Sequence, residues 1–140
     1  MRTARAVIAL AMGAVLAAGI APAAHADAVA YPRTYYSVQY GNSYVKGNLI
    51  WYNQSIEVGG SLRAASGCRS AVYTVYGGST ILSRATRTVC EDTVGHGFTL
   101  PAKVRGGATE VVVDLYENGA RRDTNYCDRA GCHTYEIPPA

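Results

Sequence analysis

Residues 68–90, CRSAVYTVYGGSTILSRATRTVC, read as one stapled hairpin. Residues 70–76 are rich in β-branched and aromatic side chains, Gly77-Gly78-Ser79 is turn chemistry, and residues 80–90 form a second strand-like run. Facing residues of an antiparallel pair keep a constant index sum. Setting Cys68 opposite Cys90 therefore places Tyr76 opposite Leu82, Thr74 opposite Arg84, Val72 opposite Thr86 and Ser70 opposite Thr88, with the reversal on residues 77–81. Such pairs lie about 4.5 to 5.5 Å apart, within reach of a disulfide. The cysteines then share a polar face with Ser70, Thr74, Arg84 and Thr88, while Ala71, Tyr73, Val75, Ile81, Ala85 and Val89 form the face expected to meet a core.

Outward from this hairpin the same signals repeat. On its N-terminal side, residues 34–40 (TYYSVQY) have strand composition and Gly41-Asn42 is a break. Residues 44–52 carry Val45, Leu49, Ile50 and Trp51 around an expected bend at Lys46-Gly47, and residues 56–65 alternate apolar and polar with period 2. On the C-terminal side a polar loop is expected at 91–96, then a short strand at 97–100 ended by Pro101. A strand at 109–117 with Val111, Val113 and Leu115 on its apolar face follows, then an Asn118-Gly119 turn, a returning strand at 120–126 and an edge strand at 133–137.

About eight short antiparallel strands, with no sustained 3.6-residue period, point to an all-β fold. In architecture this resembles small immunoglobulin-like or fibronectin-like β-sandwich modules. A bond on the polar face of one sheet would differ from antibody domains, whose disulfide crosses the core. Trp51 is expected in the core, where its indole N–H needs an acceptor.

The beginning of the chain gives the compartment. Arg2 and Arg5 precede an apolar run of residues 6–20, and Ala24-His25-Ala26 offers small residues where a signal peptidase needs them. Residues 1–26 are thus expected to be a secretory signal peptide cleaved after Ala26, leaving a single domain at 27–140 in which 27–33 is a loose tail. The apolar run is too short for a membrane span, so no membrane insertion is expected after cleavage. Four cysteines in an exported chain predict two disulfides, paired as Cys68 with Cys90 and Cys127 with Cys132. Of the 13 Lys and Arg residues, 11 follow the leader, against 10 acidic ones. That near balance argues against nucleic acid as a partner.

Chemistry-bearing motifs are sparse. After the leader only His96 and His133 remain, neither in a metal-ligand spacing, and no nucleophile, metalloprotease or phosphate-loop motif occurs. No catalytic residues, metal or cofactor are therefore expected. With a two-residue turn at 118–119, Asp114 would face Asp123 as a possible proton-sharing or cation-holding pair. Tyr73-Thr74-Val75, Arg84, Arg87, Val89-Cys90-Glu91 and residues 96–98 resemble the sheet region of secreted microbial guanyl-specific ribonucleases. That resemblance implies a glutamate base just before the YTV segment, with an arginine and a histidine completing the site. Here Ala71-Val72 stands where the base belongs, which removes the acid–base mechanism.

Two binding surfaces are expected instead. The Cys127–Cys132 bond would close a small rigid loop with Asp128 beside Arg129 near its tip, a shape suited to inhibiting an extracellular hydrolase or protease. The bond would equally serve to pin the last strand to its neighbour. Tyr36, Tyr40 and Tyr44 would form an exposed aromatic band. Together these predict a secreted, non-catalytic binding protein acting on an unknown extracellular protein, or alternatively a cell-wall glycan or polysaccharide module.

Overall fold

The computed structural model of the chain describes residues 30–134. The expected leader at 1–26 and cleavage site, the first residues after them, and positions 135–137 of the expected last strand lie outside this range. Among the described residues nine strands follow one another. They are β1 (Arg33–Tyr40), β2 (Ser43–Trp51), β3 (Ser55–Arg63), β4 (Cys68–Gly77), β5 (Thr80–Cys90), β6 (Thr93–Pro101), β7 (Glu110–Glu117), β8 (Ala120–Asp128) and β9 (Gly131–Thr134). They form two antiparallel sheets, ordered β1-β2-β3-β6 and β5-β4-β7-β8-β9. The chain crosses between sheets after β3, after β5 and after β6, with β6 lying beside β3 and β7 beside β4.

The core lies between the sheets because each strand alternates. Val38, Val45, Leu49, Trp51, Ile56, Val58 and Leu62 of one sheet meet Ala71, Tyr73, Val75, Val111, Val113 and Leu115 of the other, all fully buried. Trp51 finds the acceptor it needs, its Nε1–H donating to Thr34 Oγ1 at 2.9 Å. Residues 31–33 are not loose: the Tyr31 ring packs edge-on against Tyr52, and the Pro32 carbonyl accepts from the Trp51 amide.

The 68–90 hairpin takes the expected register from Cys68↔Cys90 to Val75↔Ser83, and the disulfide forms across it. A bulge after Val75 then shifts the pairing to Tyr76↔Ile81. One slipped residue exchanges faces. Leu82 therefore packs on the core and Ile81, expected there, is 51% exposed. A second bulge after Leu115 does the same between β7 and β8. Asp114 faces Thr124, not Asp123, and accepts a hydrogen bond from its hydroxyl at 2.5 Å.

Two other expectations are corrected. β2 runs straight through Gly47, because this glycine lies opposite Gly60 and any Cβ on it would collide with the Gly59 carbonyl. β6 begins at Thr93, not at residue 97. Glycine at 95 and 97 hides its strand character, and the ladder to β3 supplies what propensity does not.

The two flanks of the molecule differ. On one, β1 packs beside β8 and β9, and two of its outward amides are capped: Ser37 N–H donates to Asn125 Oδ1 at 2.9 Å and Gln39 N–H to Asp123 Oδ2 at 3.3 Å. On the other, β5 and β6 end their respective sheets side by side. Among the described residues the one side-chain bond joining these two strands is Ser83 Oγ–H donating to the Pro101 carbonyl at 2.7 Å.

Candidate functional site

One row across the inner face of the first sheet runs Tyr36, Gly47, Gly60, His96. The two glycines leave a trough in which the Tyr36 side chain lies across the sheet; a Cβ at Gly60 would strike the Tyr36 hydroxyl and the Lys46 carbonyl. The hydroxyl is thereby carried to the middle of the sheet, where it donates to the Gly59 carbonyl at 3.0 Å and meets Tyr73 Oη at 2.9 Å. Tyr73 comes from β4 of the opposite sheet, and its oxygen lies 2.6 Å from His96 Nε2.

Proton counting orients this chain. Each tyrosine has one hydroxyl proton. Tyr36 spends its own on Gly59, so Tyr73 donates to Tyr36, and His96 must donate from Nε2 to Tyr73. His96 is therefore the Nε2–H tautomer, with the lone pair on Nδ1. Nδ1 makes no hydrogen bond among the described residues and is not one of the fully buried unpaired atoms, so it is the ring nitrogen left without an internal partner.

The flank completes the cluster. The Arg87 guanidinium of β5 sits 4.2 Å above the Phe98 ring, and His96 lies beside that ring at 5.8 Å between centroids. Phe98 in turn packs edge-on against Tyr73 at 5.3 Å. Burial and then the Arg87 charge hold His96 below the usual histidine range, keeping it neutral near pH 7. Burial pushes the Tyr36 hydroxyl up to about 12 and raises Tyr73 as well, so neither ionises at physiological pH.

Arg87, His96 and Phe98 also carry much of the ribonuclease resemblance. They meet here from edge strands of two different sheets, and Ala71, buried opposite Arg87, holds the place of the base. No cluster of three metal-ligating side chains occurs among the described residues. No protein-family model, curated protein or solved structure matches the chain.

The surfaces expected from the sequence are dispersed. Tyr36 is 2% exposed, so it belongs to the core and to no aromatic band. Tyr40 is exposed beneath the Arg122 guanidinium, whereas Tyr44 pairs with Gln39 on the outer face of the sheet under Lys46, so the three tyrosines share no surface. The strand register across the Gly41-Asn42 turn is the cause. The Cys127–Cys132 bond forms, but Cys127↔Cys132 and Asp128↔Gly131 are paired ladder positions, leaving only Arg129-Ala130 as the turn. Asp128 Oδ1 accepts from the amides of Ala130 and Gly131, and Arg129 Nη2 donates to the Gly106 carbonyl at 3.3 Å. Instead of a free loop, this is a pinned hairpin end tied to the loop before β7.

The sequence reading does not place His96, Arg87 and Phe98 in one site. His96 and Phe98 are marked only by the alternation of Val94, His96, Phe98 and Leu100 with Gly95, Gly97 and Thr99, and Arg87 only by the resemblance above. Which strands flank that run is invisible without the tertiary fold.

Proposed function

We propose that the chain is an exported recognition module that binds a protein partner along its β5–β6 flank. The observation that carries this is the contrast between flanks: the β1 edge is capped by side chains of β8, while two strand edges of 11 and 9 residues stand together on the other side. Unpaired strand edges recruit extended segments by main-chain hydrogen bonding. Arg87 and Phe98 there are of the types enriched at protein interfaces, and Val94 adds exposed apolar surface beside them. The order β2-β3-β6 against β5-β4-β7-β8 follows that of immunoglobulin-like and fibronectin-like modules, which supports a recognition role by analogy only. Two disulfides fit an extracellular setting, and no helix among the described residues is long and apolar enough to cross a membrane. Inhibition of an extracellular hydrolase is the sharpest form of this reading.

A glycan-binding reading has one observation of its own. Tyr35, 70% exposed, begins a row of Asn48, Gly59 and Gly97 across the outer face of the four-stranded sheet, an aromatic side chain beside bare backbone and an amide.

Capture from culture supernatant and from purified cell wall by the immobilised chain separates these readings. A protein partner lost with Arg87→Glu but retained with Arg129→Ala and Tyr35→Ala supports the flank. Loss with Arg129→Ala alone returns the binding to the hairpin end, and wall retention lost with Tyr35→Ala makes the sheet face the site.

A further inference from the structure

The fold brings Arg87 and His96 to the open flank, where neither is ion-paired among the described residues. Arg87 is exposed, its only hydrogen bond among the described residues goes to its neighbour's carbonyl at Thr86, and none of the described carboxylates lies within ion-pair distance of it. Its guanidinium is nevertheless held in place, stacked on Phe98. His96 adjoins the same ring and is oriented by a three-member hydrogen-bond chain anchored on the Gly59 carbonyl, so that Nδ1 is the ring nitrogen left without a partner. A guanidinium already stacked in place and an imidazole already oriented need little reorganisation to bind an anion.

We propose that Arg87 and His96 form a binding site for a single carboxylate, with Phe98 as its floor. The planar guanidinium fork presents two parallel N–H donors that match two carboxylate oxygens, and one imidazolium N–H beside it completes the set. That the carboxylate belongs to a protein partner, as an acidic side chain or a chain terminus, rests on the flank reading above; the site itself does not.

The proton count makes the site acid-dependent. Neutral His96 already uses its only N–H on Tyr73 and offers a lone pair at Nδ1, which repels an anion. Binding therefore takes up one proton at Nδ1, while the Nε2–H to Tyr73 bond persists in both states. The titratable or charged groups facing His96 are Tyr73 from β4, Tyr36 from β1 and Arg87 from β5; β3 presents Gly60. Neither tyrosine ionises below the alkaline range, so His96 alone sets the dependence.

The test is titration of the full chain, isotopically labelled, with acetate and separately with inorganic phosphate, following the His96 imidazole and Arg87 guanidinium resonances. The expected result is that acetate moves both sets together, with an apparent affinity that improves about tenfold per pH unit as pH falls toward the His96 pKa, as uptake of one proton requires. Arg87→Gln should abolish the shifts, and His96→Gln should leave weak, pH-independent binding. Resonances that ignore acetate at every pH between 4 and 7, or that move at lower phosphate than acetate concentrations, would overturn the carboxylate assignment. Acetate binding in a chain whose partner capture survives Arg87→Glu leaves the site standing and removes the flank reading; the opposite pattern keeps the flank and removes the site.

Discussion

The Tyr73 hydroxyl lies 2.6 Å from His96 Nε2, a polar bond between an interior strand of one sheet and the edge strand of the other. It sits at the end of the Tyr36 trough, so the glycines at 47 and 60, the two tyrosines and the histidine are one packing unit. Each member's removal has a distinguishable consequence.

Acid should weaken the fold through His96. Its folded pKa is below that of the unfolded chain, so the unfolded state binds the extra proton first. Stability is full above the ordinary histidine range near pH 6.5 and falls as pH drops through the lowered folded value. Denaturant midpoints measured between pH 7 and 5 should decline in the parent, with a shallower decline in His96→Gln; equal slopes would exclude His96 as the cause.

Alkali acts through Tyr36 and Tyr73. An ordinary tyrosine ionises near 10, but burial holds the Tyr36 hydroxyl neutral up to about 12 and raises Tyr73 as well. The unfolded chain therefore loses its proton first, and stability declines from about pH 10 upward. Tyr36→Phe should reduce that decline, and at neutral pH should cost roughly 1–3 kcal/mol by leaving the Gly59 carbonyl and the Tyr73 hydroxyl without their partner.

Gly60→Ala should destabilise by about 1–3 kcal/mol, the usual penalty of overpacking, because the new methyl meets the Tyr36 hydroxyl and the Lys46 backbone. Gly95→Ala is the control. Its Cβ would come no closer than 3.8 Å to the Gly60 carbonyl, so the change should stay within about 0.5 kcal/mol. Similar thermal midpoints for the two variants would refute the trough.

The disulfides should differ by loop length. Replacing Cys68 and Cys90 with alanine opens a span of 22 residues and should cost about 3 kcal/mol, whereas the Cys127 and Cys132 pair spans 5 and should cost about 2 kcal/mol in the chain-entropy account. Urea unfolding of the two double variants measures both.

Sequence specifies structure directly where the chemistry is local. Two cysteines about a Gly-Gly-Ser turn were enough to place Cys68 opposite Cys90, and period 2 in residues 56–65 was enough to name a half-buried strand. Ile81 and Asp114 each lie just beyond a bulge, where one extra residue on a strand exchanges every face that follows and leaves no compositional mark. The burial of Tyr36 depends on glycines in two other strands and is likewise absent from its own stretch of sequence.

Strand composition, turn residues and cysteine spacing therefore settled the all-β class and both disulfide pairings, since each is an interaction between near neighbours in the chain. The candidate site was decided elsewhere. Tyr36, Tyr73, Arg87 and His96 sit on β1, β4, β5 and β6, and only the pairing of β3 with β6 and the stacking of one sheet on the other bring them together. Contacts of that kind depend on register and on shape across a core, which no stretch of one strand contains.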